Sequence, residues 1–257
     1  MTSSLLKKTR KINMLLQRAG GEPVNLNSLA EILSDNIDAN CYIVSENGKV
    51  LGYYFADHLE STAIKQVGND VYFDEEFNQD LLQVTDSRSF NKETNADLFK
   101  NDGPIKHQFL LVVPIKGGVE RLGNLFLTRS EDDYVEGDYV LAEYGATVAA
   151  LEVLRSKNEE IEAEERKSAA VKIAVDTLSF SEIAAMKKIF ENLEGNEGYL
   201  VASKIADEAQ ITRSVIVNAL RKLESAGVIQ SRSLGMKGTY IKILNDLLKD
   251  EFERRDM

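Results

Sequence analysis

The stretch from Ala202 to Leu244 limits the possible folds more than any other part of the chain. Ile205 and Ala209 fall on one face of a short helix, and Gln210 and Ile211 follow as a turn. A second helix then repeats apolar residues every three or four positions, namely Val215, Ile216, Ala219, Leu220 and Leu223. Gln210 stands where such a turn often carries Gly, which implies some backbone strain. This order of elements predicts a helix-turn-helix.

The second helix has a polar face opposite its apolar one. We expect the hydroxyl of Thr212 to cap this helix and Gly227 to end it. Two strands, Val228–Arg232 and Thr239–Ile243, then form the wing of a winged helix-turn-helix. Arginine can pair with guanine, asparagine with adenine, and serine with a phosphate or base edge. The residues expected to meet double-stranded DNA are therefore Ser203, Lys204, Thr212, Arg213, Ser214, Asn218, Arg221, Lys222, Arg232 and Lys237.

The distribution of charge supports a DNA partner for this stretch. The whole chain has a net charge of −11 and a sequence pI near 4.9, which by itself argues against a polyanion partner. Between Leu200 and Ile243, however, seven Lys or Arg residues stand against three acids, which makes this stretch +4 and the remainder −15. The basic patch coincides with the predicted DNA-binding element. The competing interpretation is a helical hairpin inside a larger core, with solvated basic residues outside.

Two segments of this stretch, ITRSVIVNALRKLESAGVI and SRSLGMKGTYIK, resemble the DNA-binding end of the CodY family. The segment SLLKKTRKINMLLQ near the N-terminus resembles the opening helix of the same family. The resemblance implies a global transcriptional regulator, mainly a repressor, that responds to nutrients in low-GC Gram-positive bacteria. It implies branched-chain amino acids, isoleucine above valine and leucine, as effectors that raise the affinity for operator DNA. GTP is a second effector in many members.

The resemblance also implies where the effectors bind. The amino-acid site falls on Ala63, Ile64, Val67, Phe73 and Phe77, and these apolar groups suit an isoleucine or valine side chain. Some members have, in place of Ala63, an arginine that holds the ligand carboxylate, so Lys65 or backbone N–H groups would have to replace it here. The GTP site falls on Ser45, Asn47, Lys49, Glu152 and Lys157. Asn47 replaces a basic residue of some relatives, and Glu46 beside it would repel phosphate.

The N-terminal two thirds predict an α+β domain. Helices are expected at residues 4–18, 25–37 and 75–84, and strands at 41–45, 50–55, 109–115 and 121–129. Asn47 and Gly48 favour a tight hairpin turn, and Gly117 and Gly118 turn the chain between the last two strands. Helices and strands mixed in this way indicate an antiparallel sheet with helices. The arrangement resembles a GAF-like sensor domain.

A long helix is expected from Asp138 to about Lys167, followed by helices at 168–178 and 181–193. Ser179 and Glu182 have the spacing of a capping box. The expected organisation is therefore a GAF-like effector-binding domain at 1–137, a long linker helix at 138–167 and a winged helix-turn-helix domain at 168–257. A helix in the connecting position would hold the two domains apart at a set distance, unlike a flexible linker.

The sequence offers little for catalysis or metal binding. One Cys and two His provide no metal-ligand cluster, no GxSxG segment occurs, and we expect neither an enzyme nor a metal. No apolar run approaches the roughly 18 residues of a membrane span, and the single Cys suits a reducing cytoplasm, so we expect a cytoplasmic protein. Because one winged domain makes few base contacts and bacterial operators are usually two-fold, we expect a homodimer that can associate to a tetramer. Two other interpretations stay open at this point. One is an enzyme domain fused to a DNA-targeting module, and the other is an architectural DNA protein without an effector.

Overall fold

The computed structural model describes residues 2–56, 64–95, 106–193, 195–235 and 238–255. Contacts separate two compact units, Met1–Lys157 and Asn158–Met257, which we call the first and second units. Among the described residues, every helix falls short of the length or the apolar character that a membrane crossing requires. The first unit is built on an antiparallel sheet and the second on helices with a small sheet, so the expected α+β architecture is confirmed.

A five-stranded antiparallel sheet forms the centre of the first unit. Its strands are β1 (Asn40–Ser45), β2 (Val50–Tyr54), β5 (Arg88–Asn91), β6 (Phe109–Gly117) and β7 (Glu120–Arg129), in the order β2-β1-β7-β6-β5. A separate hairpin of β3 (Ile64–Val67) and β4 (Asp70–Phe73) is followed by the helix α3 (Glu75–Leu82). The predicted turn between β1 and β2 is confirmed, and its Gly48 has a φ of +81°.

Helices cover one face of this sheet. They are α1 (Thr2–Ala19), α2 (Leu26–Ile37) and the beginning of α4 (Glu136–Asp176). Leu33 and Val148 from two of these helices share a core with Ile43 of β1. Gly145 allows a close approach, because a β-carbon there would lie 2.6 Å from Leu33 Cδ1. Cys41 is fully buried in the same core, and burial raises the pKa of its thiol.

The middle of the first unit contains more strand than its sequence predicts. Residues 58–106 predict one short helix, and α3 confirms it. Each of β3, β4 and β5 has four residues and mixes apolar with polar side chains, so no period-two pattern reveals them.

The long helix α4 continues further than expected. Separate helices are expected at 138–167 and 168–178, whereas one helix runs from Glu136 to Asp176. No Pro or Gly interrupts Ser168, Ala169 and Ala170, so nothing in the local chemistry ends the helix there. The helix contributes residues to both units. The division of the chain at 137 and 167 stays a prediction.

The second unit has one core. Its elements are α5 (Phe180–Glu191), β8 (Glu197–Leu200), α6 (Ala202–Glu208), α7 (Arg213–Ser225), β9 (Ile229–Ser233), β10 (Thr239–Ile243) and α8 (Leu247–Arg254). The strands form a sheet in the order β8-β10-β9. Ile216 and Leu223 from α7 pack with Ile189, Ile241 and Phe252. The sequence did not predict β8 or α8, which are short.

Two predicted caps have different outcomes. The capping box is confirmed, since the Ser179 hydroxyl accepts from the Glu182 N–H and the Glu182 carboxylate accepts from the Ser179 N–H. The cap expected at Thr212 is wrong. Thr212 occupies the N-cap position, but its hydroxyl lies 2.8 Å from the Ser214 hydroxyl and makes no bond to the first turn of α7. The Ser214 hydroxyl thus takes the place beside the Thr212 hydroxyl oxygen that a backbone N–H of the first turn would occupy in a cap.

Candidate functional site

The turn between α6 and α7 fixes which face of α7 points outward. Ile205 and Ala206 of α6 are buried, and the N–H of Ile211 donates to the carbonyl of Ala206 at 3.0 Å. Gln210 has a φ of 54°, in the left-handed region that the sequence led us to expect. The buried residues of α7 are Ile216, Ala219, Leu220 and Leu223. The opposite face of this helix is therefore exposed.

The exposed face of α7 carries most of the residues expected to contact DNA. Ser214, Asn218 and Arg221 follow one another at helical spacing on this face, and Arg213 is exposed at the first position of the helix. Thr212 before α7, Ser203 and Lys204 on α6 and Arg232 on β9 are exposed as well. These side chains offer guanidinium, amide, hydroxyl and ammonium donors to phosphates and base edges.

Lys222 has a different environment from the other predicted DNA contacts. Its ammonium lies 2.7 Å from the carboxylate of Glu182 and 3.0 Å from the carbonyl oxygen of Thr177. Burial alone would raise the pKa of Glu182, but hydrogen bonds from Lys222 and from both the backbone and side chain of Ser179 bring it below its ordinary value. Lys222 thus links α7 to the start of α5. Lys237 lies outside the described residues.

The small sheet presents two tyrosines that the sequence did not single out. The rings of Tyr199 and Tyr240 lie 5.2 Å apart between centroids, and the Tyr240 hydroxyl donates to Glu197 at 2.8 Å. Gly238, with a φ of +94°, permits this strand arrangement, because a β-carbon there would lie 2.3 Å from the carbonyl oxygen of Leu200. The register of β8 against β10 brings the tyrosines together, and this pairing cannot be seen without β8.

An apolar cluster covers the other face of the first unit's sheet. Its buried members, which we call the aromatic cluster, are Tyr42, Val44, Phe73, Phe77, Leu81, Leu110, Val112 and Phe126. Tyr42 and Phe126 stack with centroids 4.7 Å apart, and Phe73 lies 4.9 Å from Phe126. The expected amino-acid residues Phe73 and Phe77 belong to this cluster. The sequence did not single out Tyr42 and Phe126, which lie in continuous apolar runs, Cys41 to Val44 on β1 and Leu125 to Leu127 on β7.

The remaining residues expected at the amino-acid site lie on or before the small hairpin. The backbone of Ile64 pairs with that of Phe73 across β3 and β4. Val67 is 61% exposed at the end of β3, away from the aromatic cluster. Ala63 lies outside the described residues. The structure therefore brings together two of the five residues and sets Val67 apart from them.

The residues expected to bind GTP lie in the first unit, and both lysines are paired with acids. Lys157 lies 2.6 Å from Glu120 and 3.7 Å from Glu46, and the hydrogen bond from Glu120 is the main cause of its raised pKa. Lys49 lies 2.8 Å from Asp70. The hydroxyl of Ser45 donates to the side-chain oxygen of Asn47, and Glu152 is half-buried on α4. The set supplies ammonium and hydroxyl donors together with a carboxylate acceptor.

Comparison with known proteins assigns both units. A family model described as the CodY GAF-like domain matches residues 4–177, and one described as the CodY helix-turn-helix domain matches residues 196–255. The chain belongs to the CodY family. Membership confirms the GAF-like domain, the helix-turn-helix domain and the resemblance seen in the sequence. It makes the protein a transcription regulator with a DNA-binding helix-turn-helix domain.

CodY relatives match over nearly the full length. The chain is 54% identical over 257 residues to the global transcriptional regulator CodY of Thermoanaerobacter sp. (strain X514), with 98% of each chain covered. It is 51% identical over 254 residues to the protein of the same name from Geobacillus thermodenitrificans (strain NG80-2), again with 98% of each covered. The solved cofactor binding GAF domain of the nutrient sensor CodY from Clostridium difficile is 36% identical, with 60% of this chain and 99% of that chain covered and a TM-score of 0.47.

The CodY family is a class of regulators and not a class of enzymes. Within the described ranges, no group of three or more His, Cys, Asp or Glu residues is placed to hold a metal ion.

Proposed function

We propose that this CodY-family protein is an effector-gated regulator, mainly a repressor, that binds two-fold operator DNA in the cytoplasm. The observation that carries this proposal is the face of α7, where Arg213, Ser214, Asn218 and Arg221 are exposed opposite a fully buried face. Such a face can enter a major groove while the buried face holds the helix in place. Ser203, Lys204 and Arg232 supply further donors for the phosphate backbone.

The amino-acid effector of this proposal is a branched-chain amino acid, with isoleucine as the best ligand. The aromatic cluster supports it, because Tyr42, Phe73, Phe77 and Phe126 provide apolar surface of the kind that contacts an aliphatic side chain. The sequence resemblance implies Ala63, Ile64 and Val67 as further residues of the effector site, and the exposure of Val67 argues against its membership. An effector can raise operator affinity only if it binds the DNA-competent state more tightly than the other state.

GTP is the second effector of the proposal. Ser45, Lys49 and Lys157 could donate to phosphates, and Glu152 could accept from the guanine edge that adenine lacks. The ion pairs of both lysines oppose this binding, because a phosphate would have to replace Glu120 beside Lys157 and Asp70 beside Lys49. The binding energy for GTP would therefore be reduced by the loss of these contacts.

The functional assembly of the proposal is a homodimer that can form a tetramer. One winged helix contacts few base pairs, and a two-fold operator matches a two-fold protein. Light scattering at micromolar concentration checks the assembly, and a mass near the 28.7 kDa of a single chain would contradict it.

Calorimetry and DNA binding test the effector and the regulator separately. Isoleucine, valine and leucine are titrated into the full-length protein. Heat of binding is expected, and the affinity for isoleucine should be the highest of the three. An operator fragment selected from genomic DNA is then titrated with protein, with and without isoleucine, and the affinity is expected to rise with isoleucine. The absence of heat with all three amino acids at millimolar concentration would reject the effector. If an amino acid binds but does not change the affinity for DNA, the result would favour the alternative of an architectural DNA protein.

A further inference from the structure

The connection between α7 and β9 is short. α7 ends at Ser225, and β9 begins soon afterwards at Ile229. Between them, the N–H of Val228 donates to the carbonyl oxygen of Leu223 at 3.1 Å. Val228 and Ile229 are each 1% exposed, so both pack into the core of the second unit. The first residues of β9 are therefore held firmly against the end of α7.

The apolar contacts of β9 stop after its first residue. Side chains two positions apart lie on the same face of a strand, so Ser231 and Ser233 follow Ile229 on the face that packs toward the core. Ser231 is only half-buried and Ser233 is exposed. Two hydroxyl side chains thus stand where apolar ones would anchor the strand by burial. Apolar packing holds the beginning of β9 and not its middle.

The backbone N–H of Ser231 lies on the free side of β9. This strand is at the edge of its sheet, whose order is β8-β10-β9. Paired residues of antiparallel strands alternate between those that exchange backbone hydrogen bonds and those that do not. Leu234 donates to the carbonyl oxygen of Gly238 across the two strands, and the pair of Ser231 with Ile241 is three positions away and so of the other kind. The N–H of Ser231 therefore points away from β10.

Glu224 occupies this free side of the strand. Its carboxylate accepts from the N–H of Ser231 at 2.9 Å and from the hydroxyl of Ser231 at 3.0 Å. Glu224 belongs to the last turn of α7, three positions after Arg221. Hydrogen bonds to an ionised acceptor are stronger than those between neutral groups. A side chain of α7 thus binds β9 at the point where the apolar contacts of the strand end.

We propose that Glu224 is a positioning residue for DNA binding, which sets β9 and its Arg232 relative to the exposed face of α7. The proposal rests on the proposed function, in which α7 and Arg232 contact the same operator. Arg232 directly follows Ser231, is exposed, and lies on the other face of the strand. Two elements can contact one duplex together without loss of affinity only if their relative position is already set, because ordering them on binding costs free energy.

The negative charge of Glu224 separates positioning from electrostatics. A carboxylate repels phosphates, so the loss of this charge would by itself strengthen DNA binding. Glu224→Ala should do the opposite, and we expect the operator affinity of the full-length protein to fall about fivefold. Glu224→Gln keeps an oxygen that can accept from the N–H of Ser231, so its operator affinity should stay within about twofold of the original.

A double-mutant cycle tests whether Glu224 acts through Arg232. Arg232→Ala should weaken operator binding and reduce the salt dependence of the affinity, by about 1 in the slope of log affinity against log salt, because one phosphate contact is lost. Glu224→Ala should change the slope in the same direction. The double variant should bind about as tightly as Arg232→Ala alone. A merely structural role of Glu224 would lower the free energy of unfolding but would not change the salt slope.

A matched control is available on α8. Glu253→Ala removes an exposed carboxylate from another helix of the same unit, and its operator affinity should stay within about twofold of the original. Ser231→Ala removes one of the two donors to Glu224 and should cause a smaller loss than Glu224→Ala. Thermal unfolding of each variant defines the temperatures at which all of them are folded, and the DNA titrations are made in that range.

Several results would overturn the positioning role. These are an operator affinity of Glu224→Ala that equals that of the original protein or of Glu253→Ala, an equal loss in Glu224→Gln and Glu224→Ala, and additive losses in the double variant. Each of them leaves the DNA-binding face of α7 intact if Arg221→Ala binds the operator weakly. Unchanged operator affinity in both Arg213→Ala and Arg221→Ala would instead reject that face and the proposed function with it.

Discussion

The ammonium of Lys222 on α7 lies 2.7 Å from the carboxylate of Glu182, whose side chain is only 8% exposed. Glu182 also closes the capping box of α5, so one carboxylate serves the start of one helix and the middle of another. An acid this deeply buried needs hydrogen bonds to stay ionised. Lys222 therefore has a structural partner that the sequence did not reveal.

Removal of Lys222 should destabilise the second unit. In Lys222→Met, Glu182 would keep its bonds to Ser179 but lose its counter-charge, at a cost of about 2 kcal/mol in the free energy of unfolding. Urea unfolding measures this change. The control is Lys188→Met, because Lys188 pairs at the same 2.7 Å with Glu191, whose side chain is 63% exposed, so a clearly smaller loss is expected. Equal losses in the two variants would contradict the structural role.

The same pair predicts a dependence on pH. The pKa of Glu182 is lowered in the folded protein, so its contribution is present above the unfolded value of about 4.3. That contribution is lost as the pH falls through the lowered folded pKa. The stability difference between the original protein and Lys222→Met should therefore be full at pH 7 and shrink in acid. A difference that stays constant down to the pH where Glu182 is protonated would exclude this ionisation as its cause.

Alanine substitution of two arginines of α7 should distinguish the recognition of bases from the general attraction between positive charge and DNA. Arg213→Ala and Arg221→Ala should each weaken operator binding, by about 1 to 3 kcal/mol for an arginine that reads a base. The affinity for unrelated DNA should fall less. Lys172→Ala removes an exposed positive charge on α4 and should leave operator affinity nearly unchanged. Titrations at several salt concentrations check this, and unchanged operator affinity in both arginine variants would reject the DNA-binding face.

The turn before α7 should tolerate glycine better than its present residue. Gln210 has a φ of 54°, and the left-handed region costs a side chain roughly 1 kcal/mol relative to glycine. Gln210→Gly should raise the free energy of unfolding by only about 0.5 kcal/mol, because the greater entropy that glycine loses on folding offsets part of the relieved strain. Thermal unfolding measures it. Destabilisation would show that the Gln210 side chain contributes contacts that outweigh the strain.

The ion pair at Lys157 should limit the response to GTP. Glu120→Gln removes the carboxylate at 2.6 Å and should free Lys157 for a phosphate, so GTP should bind more tightly to this variant. Operator affinity at saturating isoleucine, with and without millimolar GTP, gives the response. Lys157→Ala serves as the opposite control and should abolish any gain. No effect of GTP on either protein would identify a regulator that responds to amino acids alone.

The sequence predicted most of the second unit because its elements follow local rules. Apolar residues repeat along α7, Ser179 and Glu182 form a capping box, and Gly227 follows the helix with a φ of +72°. Contacts between distant residues could not be predicted in this way. Lys222 and Glu182 are 40 positions apart, and nothing in the spacing of either residue identifies the other.

The aromatic cluster of the first unit was harder to predict. Family resemblance implied Phe73 and Phe77 as effector-site residues, whereas Tyr42 and Phe126 join them in the cluster only because β1 pairs with β7. Strand pairing brings together residues from distant positions, and a single sequence does not give the register.

The burial of Cys41 gives the protein a built-in reporter. It is the single cysteine of the chain, it is 0% exposed on β1, and burial raises the pKa of its thiol. A thiol reagent can therefore modify it only when the strand transiently opens. The labelling rate then measures how often this part of the sheet opens locally. Any ligand that binds the closed sheet should slow the labelling, so effectors could be screened without DNA, a fluorophore or an engineered residue.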